Sequence, residues 1–184
     1  MIEFEVKYKV NNIERIEQRL KELNAEYLGD EYEEDYYFQH PCRDFMKTDE
    51  ALRVRKTENK VELTYKGPKL SKRTKTRVEI NVIVDSLQSI LRLLEKLGFK
   101  KIFVVKKNRR KYKVSNEIEV SLDSVEGLGT FVEIEIARKE GEIKQVESEL
   151  FSIAEILGLK GKPIIKSYLE LLLEKDRSSG VRIE

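Results

Sequence analysis

Charges of one sign standing two residues apart are the chemistry-bearing feature of this 184-residue chain. Carboxylates recur at Glu3 and Glu5 and again at Glu133 and Glu135, and cations recur at Arg53 and Arg55 and at Lys107 and Arg109. Lys7, Lys66 and Arg77 add further cations, and Glu79 and Asp123 add further acids. A spacing of two places both members of a pair on one face of a β-strand, because successive strand side chains alternate sides. Guanidinium groups take phosphate oxygens in bidentate fashion, and lysine supplies a point charge. Clustered carboxylates hold Mg2+ or Mn2+, hard cations that share oxygen ligands with phosphate. Together these residue types describe a site for a polyphosphate carried with a divalent metal.

The elements that must position these residues are mostly strands. Apolar residues alternate with the charges: Ile2, Phe4, Val6 and Tyr8 oppose Glu3, Glu5, Lys7 and Lys9, and Val132 with Ile134 opposes Glu133 and Glu135. Strands are read near residues 31–39, 51–57, 60–66, 76–84, 102–106, 108–114, 117–123 and 130–138, and the same division recurs in nearly all of them. Its polar faces also carry Glu62, Thr64, Lys111, Glu117, Glu119 and Ser121. Asn12 caps a first helix with Ile13, Ile16, Leu20 and Leu23 in phase, and Asp85 or Ser86 starts a second that Gly98 ends. A third helix is read over about 144–157, and Pro163 precedes a last one through Lys175. Residues 40–49 and 67–75 read as loops, the second with Lys69, Lys72 and Arg73 placed to close over a bound polyphosphate. Three strand-then-helix units, the helices closing near Leu28-Gly29, Leu97-Gly98 and Leu157-Gly158, suggest internal symmetry.

An open sheet would leave the charged faces in water. A sheet of about eight strands tends to close, however, which puts helices over the apolar outside and the charges within. The expected fold is α+β, a closed eight-stranded antiparallel barrel with helices packed on the outside. One domain over 1–175 and a flexible tail over 176–184 are expected. A charged lumen is a poor stabilising core, since desolvating charges costs more than pairing them usually returns. Such a lumen calls for a ligand or water.

Composition narrows the classes. Lys plus Arg (36) nearly balances Asp plus Glu (34), which removes any global polyanion-binding field. Cys42 is the only cysteine, and no segment reads as a signal peptide or membrane span, so a cytoplasmic protein without disulfides is expected. The wealth of Lys, Glu and Arg hints at a thermophilic source. His40, the only histidine, has no Cys or His set beside it for a metal site. There is no Gly-x-x-x-x-Gly-Lys-Ser/Thr phosphate loop, so side chains must bind the phosphates. The basic run 100–113, with Phe103 and Tyr112 interleaved, keeps RNA binding open as a reading, and non-catalytic polyphosphate binding is another.

Seven motifs in order sharpen the reading: Glu3-x-Glu5-x-Lys7, Asp35-Tyr-Tyr37-Phe38, Ala51-Leu-Arg53-Val-Arg55, Leu63-Thr-Tyr-Lys66-Gly-Pro, Arg77-Val-Glu79, Lys107-x-Arg109-x-x-Tyr112 and Leu122-Asp123-x-Val-x-Gly-Leu-Gly-x-Phe-x-Glu133-Ile-Glu135. Over nearly the whole chain this series resembles the CYTH superfamily, the triphosphate tunnel metalloenzymes. Residues 35–55 and the Gly127-Leu-Gly129-Thr-Phe run are most similar to its class IV adenylyl cyclase (CyaB-like) branch, with thiamine triphosphatases as relatives. The resemblance implies a tunnel that binds a triphosphate with Mg2+ or Mn2+. It implies metal binding by Glu3, Glu5, Glu133 and Glu135, assisted by Asp123, with Glu79 orienting cations or helping the metal. It implies phosphate binding by Lys7, Arg53, Arg55, Lys66, Arg77, Lys107 and Arg109, and cooperation of Tyr37 with Lys7 in activating a nucleophile, with Asp123 holding a second metal. The implied reaction is ATP to cyclic AMP and pyrophosphate. Hydrolysis of tripolyphosphate, thiamine triphosphate or a nucleotide is the alternative. Bacterial class IV cyclases carry a His-Phe element just before the first strand, where this sequence has Met1-Ile2. A second copy of the chain is a candidate partner.

Overall fold

Eight antiparallel strands close on themselves in the order β1-β5-β4-β3-β2-β6-β7-β8, with β8 returning to β1. The computed structural model describes residues 2–138 and 143–179. The strands are β1 (Ile2–Lys9), β2 (Glu26–Gln39), β3 (Ala51–Lys56), β4 (Val61–Lys66), β5 (Arg77–Val84), β6 (Lys100–Lys113), β7 (Ile118–Val125) and β8 (Gly129–Arg138). The helices are α1 (Ile13–Glu22), α2 (Phe45–Thr48), α3 (Leu87–Lys96), α4 (Ile143–Ile156) and α5 (Tyr168–Ser179). None of these helices is long and apolar enough to cross a membrane.

Alternation along each strand decides what faces where. Outward Phe4, Val6, Val120 and Ile134 are buried against Ile16 and Leu20 of α1 and Val146 and Leu150 of α4. Leu52 and Val54 of β3, with Phe38 of β2, are buried against Ile90 and Leu94 of α3 and Phe45 of α2. Capping fixes where two of these helices start: Asn12 accepts a hydrogen bond from the Arg15 amide at 2.8 Å, and Ser86 accepts one from the Ser89 amide at 3.3 Å. The outer face of β5 is different. Among the described residues no helix covers its Val78, Ile80 and Val82, which are 41%, 56% and 51% exposed.

Several elements depart from the sequence reading. What reads as two strands, 102–106 and 108–114, is the single strand β6, because Lys107 does not break the ladder and simply faces inward. β2 starts at Glu26 rather than 31, so Gly29 does not close a helix. It lies inside β2 at a register shift, with φ +124°. Residues 40–49 contain the one-turn helix α2, capped by the Asp44 carboxylate. α5 begins at Tyr168, five residues beyond Pro163, and runs to Ser179, past the expected end at Lys175; residues 180–184 lie outside the described residues. α5 also does not lie on the outside. Its Tyr168, Leu169 and Leu172 pack with Tyr37, Val105, Val125 and Phe131, which strand parity turns inward, so α5 plugs one end of the barrel.

Leu150 is wholly buried between α4 and the barrel wall. Leu150→Ala is expected to lower the unfolding free energy by about 2–5 kcal/mol, the usual cost of a leucine-sized core cavity. Equilibrium urea unfolding measures it.

Candidate functional site

The inward faces of the strands line a lumen with about 200 Å3 of free space. Each charged pair of the sequence arrives there because its members stand two apart on one strand. β1 supplies Glu3, Glu5 and Lys7, β3 supplies Arg53 and Arg55, β6 supplies Lys107 and Arg109, and β8 supplies Glu133 and Glu135. Lys66 from β4, Arg77 and Glu79 from β5, and Asp123 from β7 complete the set expected from sequence. Glu5 and Glu135 are direct cross-strand partners, as are Lys7 and Glu133 and likewise Arg109 and Asp123.

Cations and acids interleave. Arg55 forks onto Asp35, with Nε 2.7 Å from Oδ1 and a terminal nitrogen 2.8 Å from Oδ2. Arg109 grips Asp123 in the same bidentate manner, with Nε at 2.7 Å, and also reaches Glu133. Lys7 lies 2.9 Å from Glu133 and 3.2 Å from Glu5, and donates to the Lys166 carbonyl at 3.2 Å. Lys66 bonds Glu79. Both oxygens of Asp123 are occupied, since Tyr168 donates to Oδ2 at 2.7 Å. Asp123 therefore fixes Arg109 in this state.

Sequence reasoning missed four residues of the lumen. Glu33 and Asp35 lie on the inward face of β2 and are almost fully buried. Glu33 stands 2.6 Å from Lys107 and 3.0 Å from Arg55, and Asp35 stands 3.1 Å from Lys107. Their parity with Tyr37 was available from the sequence, but Glu34 and Tyr36 alternate with them, so no apolar face marks which side of β2 is buried. Lys75, from the loop before β5, enters the lumen and pairs with Glu5 at 2.8 Å. Tyr168 stacks beneath Lys7, whose Nζ is 4.1 Å from the ring centroid. Of the expected lid cations, Lys69 is held by Asp49 at 2.6 Å and lies 3.6 Å from Glu170, Arg73 lies 3.5 Å from Glu147, and Lys72 is exposed.

The electrostatics divide the lumen in two. Burial works against ionised carboxyls, yet Arg55 and Lys107 hold Asp35 well below the usual carboxylate range, and Lys7 and Arg109 do the same for Glu133. Glu135 goes the other way: burial, with Glu3 and Glu5 beside it, pushes its carboxyl well up. Burial and nearby Asp35 push the Tyr37 phenol to about 12, so it stays a neutral hydroxyl near pH 7.

Unmet groups show what the lumen is built to accept. The buried Nε donors of Arg53 and Arg77 have no hydrogen-bond partner, and the buried Oε1 of Glu5 accepts no hydrogen bond although Lys7 Nζ stands 3.2 Å away. Free guanidinium donors suit an anionic oxygen. Crowded carboxylates at Glu3, Glu5 and Glu135, with a spare oxygen lone pair, suit a hard divalent cation. The donor chemistry fits such an ion, although among the described residues no three His, Cys, Asp or Glu groups already converge on a coordination geometry.

Asp35→Asn tests the anion ladder of β2. Asp35 has its pKa depressed by folding, so the stability it contributes is present above its unfolded value, near pH 4, and is lost as pH falls through the folded value. Acid unfolding followed by circular dichroism is expected to be less steep below about pH 4 in the variant. Removing one partner of a buried ion pair also lowers neutral stability, typically by about 3–5 kcal/mol. Glu33→Gln is expected to lower the melting temperature of the ligand-free protein, and tripolyphosphate with Mg2+ is expected to recover part of the loss by supplying Lys107 and Arg55 with a new counter-charge.

Comparison with known proteins agrees with this geometry. The model of the CYTH domain matches residues 1–168. The Methanocaldococcus jannaschii protein named "Putative adenylate cyclase MJ0240" is 40% identical over 173 residues, covering 93% of this chain and 98% of that protein. The structure of the PH1819 protein from Pyrococcus horikoshii OT3 is 45% identical with a TM-score of 0.86, over 94% of this chain and 99% of that one. A Hippeastrum protein described as a putative adenylyl cyclase with a dominant triphosphatase activity is 20% identical with a TM-score of 0.66, over 99% of this chain and 97% of that one, and shares the fold. A closed barrel of eight antiparallel strands, charged within and matched along nearly its whole length, places this chain in the CYTH family.

Proposed function

We propose that the protein is a divalent-metal-dependent enzyme that binds a triphosphate in the lumen, with conversion of ATP to cyclic AMP and pyrophosphate as the leading reaction. The observation that carries the reading is the pair of buried, unpartnered guanidinium donors, Arg53 Nε and Arg77 Nε, in a lumen that already balances its own charge. Eight inward cations, Lys7, Arg53, Arg55, Lys66, Lys75, Arg77, Lys107 and Arg109, face an equal number of inward acids, Glu3, Glu5, Glu33, Asp35, Glu79, Asp123, Glu133 and Glu135. A polyphosphate entering alone would leave several negative charges uncompensated in a low-dielectric space, so it is expected to enter with metal. Glu3, Glu5 and Glu135 are the residues that would hold the metal, with Glu79 beside them. Bound there, it would neutralise phosphate oxygens and lower the pKa of an attacking hydroxyl or water.

The chain's own residues do the positioning. Arg53, Arg55, Lys66, Arg77, Lys107 and Arg109 fix the phosphate chain from β3 to β6, and displacement at phosphorus needs such alignment and charge neutralisation more than covalent help. Lys7, clamped between Glu5, Glu133 and the Lys166 carbonyl, holds its ammonium fixed over Tyr168. Tyr37 offers a neutral hydroxyl to the same space. The 200 Å3 lumen is below the roughly 300–1,000 Å3 of sites that enclose drug-sized ligands. The phosphate chain therefore fits inside, and the group it carries needs room beyond that space.

That size also favours a second reading. Because the lumen recognises the phosphate chain itself, hydrolysis of tripolyphosphate, thiamine triphosphate or a nucleoside triphosphate uses the same cations and differs only in whether water or a ribose hydroxyl attacks. The Hippeastrum relative's described triphosphatase activity supports keeping it.

Purified protein incubated separately with ATP, tripolyphosphate and thiamine triphosphate, in Mg2+ and in Mn2+, distinguishes the two by phosphorus NMR. Cyclic AMP with pyrophosphate is the expected result, orthophosphate would establish the triphosphatase, and no product from any substrate would contradict both. Arg55→Ala is expected to weaken triphosphate binding at least tenfold while leaving the circular dichroism spectrum unchanged.

A further inference from the structure

The barrel wall changes character at the seam between β1 and β5. β1 pairs with β8 along its whole length, from Ile2↔Arg138 to Lys9↔Phe131, but with β5 only at Ile2↔Val78 and Glu3↔Arg77. Past Glu3 the two strands part, and the edge of β1 is met by irregular chain instead. The Lys75 amide donates to the Glu5 carbonyl at 2.9 Å, and the Ile164 amide donates to the Lys7 carbonyl at 2.7 Å. Lys75 belongs to the loop between β4 and β5. Its ammonium lies inside, 2.8 Å from Glu5 Oε2, and the residue is buried. One cation of the lumen thus depends on where a loop settles.

Composition works against that placement. Residues 69–75 carry Lys69, Lys72, Arg73 and Lys75 and no acid, so their charges repel one another and favour water. What holds the loop is a side chain from outside the barrel. Glu147 of α4 is 3% exposed, on a helix whose other buried residues, Val146, Leu150 and Ala154, are apolar. Its Oε1 accepts hydrogen bonds from the hydroxyls of Ser71 and Thr74, the second at 3.0 Å, and its Oε2 lies 3.5 Å from Arg73. The Thr74 hydroxyl is 2.7 Å from that of Thr76, and the Leu70 amide donates to the Thr76 carbonyl at 2.7 Å, which closes the loop on itself. A carboxylate buried on an apolar helix face is costly unless partnered, and an apolar residue of similar volume there is often neutral or stabilising. Among the described residues, the side-chain partners of Glu147 all come from this one loop. Its placement therefore serves the loop rather than the helix.

We propose that Glu147 is a positioning residue of the lumen: from outside the wall it fixes the loop over 67–75 so that Lys75 stands at Glu5, and through Lys75 it sets the affinity for polyphosphate. Parity explains how a residue outside acts inside. Thr74 and Thr76 are wholly buried and turned toward each other on the Glu147 side of extended chain, so Lys75 between them points the opposite way, into the lumen. Released from Glu147, a loop this basic takes its lysine back toward solvent and leaves Glu5 with Lys7 alone. The affinity half of the inference rests on the reading that the lumen binds a polyphosphate, and the placement of Lys75 does not.

Two measurements on Glu147→Ala test it. Without ligand, hydrogen exchange followed by NMR is expected to speed up at least a hundredfold at the Lys75 amide while the Arg109 amide of β6 keeps its wild-type rate. With Mg2+ present, tripolyphosphate binding is expected to weaken at least tenfold in the wild-type background and less than twofold in a Lys75→Ala background, because an effect that acts through Lys75 is lost once Lys75 is gone. General damage to the fold would instead weaken binding equally in both backgrounds. Ser71→Ala removes one of the two hydroxyls at a half-buried loop position and leaves α4 intact, so it keeps the test decisive if Glu147→Ala folds poorly; exchange at Lys75 is expected to rise at least tenfold in it. Wild-type exchange at Lys75 in Glu147→Ala and Ser71→Ala would overturn the inference, and so would equal loss of binding in the two backgrounds. A wild type that binds no tripolyphosphate would overturn the affinity half together with the polyphosphate reading, and the exchange rates would still decide what places Lys75.

Discussion

Compensation of charge inside a closed barrel is the constraint on which the rest of the structure depends. Desolvated charges are tolerated only when each has a partner, and the lumen meets that condition wall by wall: Asp35 with Arg55, Asp123 with Arg109, Glu133 with Lys7, Glu79 with Lys66. The strands are therefore under two demands at once. Their outward residues must bury against helices, and their inward residues must find ionic partners on the neighbouring strand. A shift of one residue in any register would violate both, which is why the ladder is specific despite the polarity of half its side chains.

The balance is incomplete at one place, and the incompleteness is informative. Buried donors on Arg53 and Arg77 lack acceptors, while Glu3, Glu5 and Glu135 crowd one another without enough cations between them. A stable core would have resolved both conflicts by exchanging an arginine or a glutamate for an apolar residue. Their persistence around one small cavity is what a site for an anion and a cation together requires. Membership in the CYTH family and this local imbalance point the same way, one from the whole chain and one from single atoms.

Much of this was legible in the sequence, and the reason is parity. Glu3-x-Glu5, Arg53-x-Arg55, Lys107-x-Arg109 and Glu133-x-Glu135 announce their faces by spacing alone, Phe4, Val54 and Ile134 between them mark the opposite face as apolar, and the number of strands announces closure. What was not legible came from elements without a period. β2 hid Glu33 and Asp35 because its outward face is itself polar at Glu34 and Tyr36, so the contrast that marks a buried face was missing. Tyr168 belongs to a helix that enters the barrel end, and no local pattern separates such a plug from a helix on the outside. Lys75 reaches the lumen because its amide bonds the Glu5 carbonyl at 2.9 Å, a tertiary contact that loop composition does not encode.

The central claim is that the lumen takes a polyphosphate together with metal, since neither alone satisfies the charges it holds. Calorimetric titration of tripolyphosphate into the protein, with Mg2+ present and with Mg2+ removed by chelation, tests it most directly. The account predicts one-to-one binding that strengthens at least a hundredfold when Mg2+ is present. Equal affinity in both conditions, or no binding in either, would contradict it.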